Sequence, residues 1–232
     1  MADLASAQVQ ENFASATNML LDHGIFLLEW GDQVLSYWGY PIAVPVYDFA
    51  VEDNHLDETV NLLENSDTGF KRIDPPPSEK HKGALGEKGY HFISVDDDAP
   101  EPTILHLLPE TLVHLCSQDA VHVHSPFDPS RGLFRPKLPQ HCVSLIRCME
   151  DYPADSPDRN LVERALRLML ATAVYKLPPM GEELWSQAPA ESEESFRTRQ
   201  AIAINHVKHW KLTEKDEPYR AKVVEYLMSG TI

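Results

Sequence analysis

Two positions combine residue type and placement in a way that could serve chemistry. Gly31 sits in the turn Trp30-Gly31-Asp32, and Asp48 is the one acid in the apolar run from Ile42 to Val51. A glycine turn lets the backbone approach a phosphate closely, and a strand carboxylate can hold a hard divalent cation. Each residue also has a plainer reading. Gly31 could simply make a tight strand-to-helix turn. Asp48 could bond backbone amides or an arginine, and Asp32 could be an N-cap or first-turn acid of the next helix.

Histidines offer a second chemistry. His122 and His124 would share one face of a strand, with His106 and His114 not far away in sequence. A His-x-His pair can bind zinc, but the third and fourth ligands are not identified, and partly exposed histidines are the plainer reading. Cys142 and Cys148 are too far apart for a helical i,i+4 clamp and read as helix-packing residues. The sequence has no Gly-x-Ser-x-Gly elbow, Walker loop or Gly-x-Gly-x-x-Gly.

The elements that must position these residues follow from periodicity. Val9, Phe13, Ala16, Met19 and Leu20 predict a helix over Ala7 to His23, closed by a left-handed Gly24. Ile25 to Glu29 reads as a buried strand, Asp32 to Trp38 as a short helix and Ile42 to Val51 as a second strand, started late by Pro45. Asn54 is a candidate N-cap for a helix over His55 to Asn65. Short strands are expected from Phe70, over Tyr90 to Val95, over Thr103 to Leu108 and over Val121 to His124. The segment from Pro75 to Glu87 reads as a polar loop that could act as a lid, and Asp96-Asp97-Asp98 as a solvated hairpin tip.

After Ser125 the stretch "SPFDPSRGLFRPKLPQ" reads as a linker. Helices follow over Leu138 to Tyr152, Arg159 to Tyr175 (ended by Pro178-Pro179), Ser192 to Trp210 and Glu217 to Met228. The expected organisation is thus α/β (α+β): a domain over 1–125 with a mixed sheet of about four or five strands, then a helical domain over 137–232. A cleft between them is the default ligand site.

Composition narrows the function classes. A chain of 232 residues with 43% hydrophobic residues can bury a sizeable core. Its net charge of −16 makes nucleic acid an unfavourable main partner, unless Lys71-Arg72 or Lys80 to Lys82 form a local basic patch. Three cysteines without a CxxC pair, no secretory leader and no run of ~20 apolar residues imply a soluble, intracellular, cytoplasmic protein that does not enter the membrane.

The residues Gly24-Ile25, Trp30-Gly31-Asp32, Leu35, Trp38-Gly39, Pro41, Asp48 and Gly69-Phe70, with Ile104 to Leu115, occur in an order that resembles fungal nucleotidyltransferase-like proteins of the polymerase-beta type. The resemblance covers roughly residues 15 to 115. It implies a nucleotidyltransferase-like fold, Mg²⁺ and a nucleoside triphosphate, with Gly31 and Asp32 at the phosphates and Asp48 on the metal. Two carboxylates two residues apart on a strand would hold two cations, joined by a third from a later strand.

This sequence departs from that pattern. Whichever member of the pair Asp48 represents, Val46 or Ala50 replaces the other, and His106 stands where the third acid is wanted. Asp32 would repel a triphosphate. Three functions follow, in order. The first is an atypical or non-catalytic member, a pseudoenzyme that binds a nucleotide or another small molecule in the old cleft or acts as an interaction partner. The second is an active transferase moving a nucleoside monophosphate to a small molecule or protein, with Asp32, Asp53 or His106 completing the metal set. The third is an unrelated acid/base enzyme using His106 and Asp48.

Overall fold

The computed structural model describes residues 7–95, 102–177 and 191–229. The acidic run at Asp96 and the prolines at 178 and 179 lie outside them. A strand buried on both faces builds the centre of the fold. In β2 (Val46–Val51), Phe49 and Val51 pack on one side of the sheet with Phe13 and Leu20 of α1 (Ala7–Asp22) and Leu63 of α3 (Leu56–Asn65). Ala50 packs on the other side, with the helices that follow residue 137. Asp48 shares that second side by alternation.

Among the described residues the sheet has seven strands in the order β3-β4-β5-β2-β1-β7-β6. These are β1 (Leu28–Trp30), β2, β3 (Phe70–Ile73), β4 (Tyr90–Ser94), β5 (Ile104–Pro109), β6 (Ala120–His124) and β7 (Gly132–Pro136). β2 pairs parallel with β5, β1 pairs parallel with β7, and the other pairings are antiparallel. The mixed α/β architecture with a helical C-terminal region is as expected, but the sheet is larger. All six segments read as strands join it, and the seventh strand is β7, inside the stretch whose Pro, Ser and Gly content reads as a linker. Its Leu133 and Arg135 are buried, and it finds a partner in β1. Pro45 does delay β2 to Val46.

Two local readings change. Helix α3 begins at Leu56 after a 3₁₀ turn over Asp53–His55, and His55 rather than Asn54 occupies its N-cap position, with no side-chain cap. The segment after Pro75 contains two short helices, α4 (Pro77–Lys80) and α5 (Ala84–Glu87), and is packed down rather than looped out. Glu79 and Leu85 are buried, and Asp158 Oδ1 accepts a hydrogen bond from the Leu85 amide at 2.7 Å.

The helices α7 (Leu138–Asp151) and α8 (Pro157–Met169, continued by a π-helical turn over Leu170–Val174) lie against the Asp48 side of the sheet, followed by α9 (Glu193–Lys208) and α10 (Glu217–Ser229). One apolar cluster runs from Leu28 and Trp30 through Cys142, Leu145, Val162 and Leu166 to Val207 and Leu227. Among the described residues no helix is long and apolar enough to cross a membrane.

Candidate functional site

The site begins at the end of β1. Trp30 leads into Gly31, whose φ of 69° is in the left-handed region, and α2 (Asp32–Tyr37) starts at once. A Cβ at Gly31 would sit 2.2 Å from Asp48 Oδ2. Glycine is therefore required twice, by the backbone angle and by the approach of the Asp48 carboxylate. Gln33 of α2 clamps the β2 backbone: its amide donates to Asp48 O at 2.7 Å and its carbonyl accepts from Asp48 N at 2.9 Å. Sequence reading overlooked Gln33, which nothing in its position distinguishes from a surface helix residue.

Strand register then sets a row of side chains. Trp30 pairs with Asp48, Asp48 with His106 on β5, and His106 with His91 on β4. His106 Nδ1 lies 2.8 Å from Asp48 Oδ1, and its Nε2 lies 2.8 Å from the Lys88 carbonyl. Both neighbours are acceptors when Asp48 is ionised. A neutral imidazole has one N–H, so both contacts are hydrogen bonds only when the ring is doubly protonated or Asp48 carries the proton. The His91 ring stacks on His106 with centroids 4.0 Å apart and planes 16° from parallel. Burial and the neighbouring His106 charge push His91 down to about 4, so it is neutral at neutral pH.

The packed-down segment 77–87 adds Glu79 and Lys82 above this row. Lys82 Nζ lies 2.8 Å from Glu79 Oε1. Burial acts to lower the Lys82 pKa, but Asp48, Glu79 and Asp32 together outweigh it and raise it. Asp32 is also raised, by burial first and by the Asp48 charge second. Lys82 thus supplies an internal cation to three carboxylates. Its neighbourhood in the sequence, Lys80 to Lys82, reads as a surface basic patch, and only the chain fold turns Lys82 inward.

Of the predicted site residues, Gly31, Asp32 and Asp48 line one cavity, together with Trp30, Glu79, Lys82 and residues of α7 and α8. His106 touches Asp48 but is itself 1% exposed. Asp53 is not with them; it accepts hydrogen bonds from the backbone and hydroxyl of Thr111. His114 pairs with Asp151, and His122 and His124 stand exposed on the edge strand β6. Asp32 is a first-turn acid of α2, with Gly31 at the N-cap.

The expected cleft is nearly filled. The cavity measures about 30 Å³, far below the roughly 300–1,000 Å³ of small-molecule pockets. His141 of α7 also lines it, with its Nδ1 unpartnered. In this arrangement a hydrated Mg²⁺ with a triphosphate does not fit: Asp48 is turned to His106, Val46 and Ala50 bring no second carboxylate, and Lys82 offsets part of the negative charge a metal would need. A ligand would have to displace part of this lining, from the 77–87 segment or from α7 and α8.

No protein-family model and no curated protein matches the chain. Among solved structures, the chain is similar to the antibiotic-resistance factor ANT(2'')-Ia in solution, at 11% identity and a TM-score of 0.44 over 89% of this chain and 100% of that one. It is also similar to the crystal structure of an antigenic nucleotidyltransferase-like protein from Paracoccidioides brasiliensis, at 14% identity and a TM-score of 0.44 over 96% and 94%. Identities this low and TM-scores below 0.5 leave the reading of the site to its own geometry.

Proposed function

We propose that this chain is an atypical, non-transferring protein of nucleotidyltransferase-like architecture that binds a nucleotide or similar small molecule beside Gly31 when the 77–87 segment opens. The observation that carries this reading is the Asp48–His106 contact with Lys82 close by. The one strand carboxylate is bonded to a protein base and lies in the field of a protein cation, where two-metal transfer needs a bare carboxylate set. The Trp30-Gly31-Asp32 turn keeps its close approach to β2, which is the part a phosphate-bearing ligand would use.

The test is thermal unfolding with a panel of nucleoside mono-, di- and triphosphates, with and without Mg²⁺. A ligand at one hundred times its Kd stabilises by about 2.7 kcal/mol, or roughly 5–10 °C for a chain of this size. Stabilisation by at least one nucleotide without Mg²⁺ is the expected result, and no shift across the panel would refute it. Mg²⁺-dependent nucleotide transfer to any acceptor would restore the active-transferase reading. The acid/base reading draws on the same Asp48–His106 contact and requires His106 to become solvent-accessible in the opened form.

A further inference from the structure

Two buried side chains near Asp48, Glu79 and His91, have polar atoms left over. Glu79 and His91 are each 1% exposed. Glu79 Oε2 has no hydrogen-bond partner, and the His91 ring has none of good geometry, only a weak contact with the Gly86 backbone. An orphaned buried polar atom costs about 1–3 kcal/mol, and native structures hold few of them without a reason such as an ion. One ligand atom from each of Glu79, His91 and His106 lies within 4.8 Å of the other two. The three come from α4, β4 and β5, so the site exists only in the folded chain.

We infer that Glu79, His91 and His106 form a site for a divalent transition metal of zinc type. Two imidazoles and a carboxylate are the donors Zn²⁺ takes, with one tetrahedral position left for water. They are a poor set for Mg²⁺ or Ca²⁺, which take oxygen ligands. Asp48 then has a defined part. It accepts from Nδ1 of His106 and leaves Nε2 for the metal, the carboxylate–histidine–metal arrangement that orients ligating histidines.

Binding exchanges the Nε2 contact with the Lys88 carbonyl for the metal. It also turns the His91 ring out of its stack so that both lone pairs converge, giving up the weak contact with the Gly86 backbone. Glu79 Oε1 stays on Lys82 while Oε2 faces the ion. His106 in the third-acid position is then a change of metal rather than a loss of one. This inference stands apart from the nucleotide reading, since it needs no ligand beyond the metal.

The experiment uses the untagged full chain, stripped with EDTA and dialysed. Zn²⁺ alone is titrated by calorimetry, and Co²⁺ by visible absorption. One equivalent of Zn²⁺ should bind, Mg²⁺ and Ca²⁺ should not compete, and Co²⁺ should give the intense bands of a four-coordinate ion. Glu79→Gln and His91→Phe should each weaken Zn²⁺ at least 100-fold, and Asp48→Asn by roughly 10–100-fold. The double variant His122→Ala/His124→Ala should bind as the wild type does. Absence of Zn²⁺ binding, octahedral Co²⁺ bands, or equal affinity in folded Glu79→Gln would overturn the site. The wild-type Co²⁺ spectrum decides even if the variants do not fold.

Discussion

Lowering the pH should destabilise this protein through His141, and the size of the effect follows from its surroundings. His141 is 1% exposed in α7, and burial alone pushes it from 6.5 down to about 3. The unfolded chain therefore binds a proton in a range where the folded chain does not. Stability is full above about pH 6.5 and falls by about 1.4 kcal/mol per pH unit between there and about pH 3. At pH 5 the loss from this one group is about 2 kcal/mol. His141→Met keeps an adaptable apolar side chain of similar reach and removes the titration.

Urea unfolding of both proteins at pH 7.5 and pH 5.0 gives the comparison. The variant should lose about 2 kcal/mol less than the wild type on acidification. His91 is lowered by burial and the His106 charge and adds its own acid sensitivity, but it is common to both proteins and drops out of the difference. Equal losses in the two proteins would show that His141 is not held neutral, and the account of the α7 packing would fail with it.

Two further predictions concern the frame of the site. Glu29→Gln leaves Arg135, buried on β7 and stacked over Tyr37 at 3.7 Å, without its ion-pair partner; a loss of about 3 kcal/mol in chemical unfolding is expected, recovered in part when Arg135→Met is added. A loss below 1 kcal/mol would mean that water reaches the pair. Gly31→Ala places a methyl against Asp48 Oδ2 at an unfavourable φ and should cost at least about 2 kcal/mol by thermal unfolding; an unchanged Tm would show that the turn relaxes without strain.

Local signals were the legible ones. The apolar stripe of α1, the left-handed Gly24 and the delay of β2 by Pro45 are each set by residues close in sequence. The Asp48–His106 pair was also within reach, because a parallel pairing of two apolar strands brings these residues side by side. What escaped depended on distant partners. β7 is five residues ending in proline, and its burial becomes visible only when β1 is beside it. Glu79 and Lys82 sit in a polar, Pro- and Gly-containing stretch, and that stretch is tied down by a hydrogen bond from the Leu85 amide to the carboxylate of Asp158, far along the chain. His91 could be placed on a strand, but its face and its neighbour follow from strand order.

That strand order has a consequence for how the chain acquires its structure. β1 is only three residues long, fully buried, and held between β2 and β7. Its link to β7 joins Leu28 with Phe134 across most of the first half of the molecule and beyond. Such a distant pairing is paid for in loop entropy before it returns any contact, so it is slow to form. Until the ribosome has released residue 136, β1 presents an open edge, the template on which strands of other chains add. A fragment ending at Ser125 would keep that edge for good. It should self-associate, and the turn at Gly31 would be hung from a strand with one of its two neighbours missing.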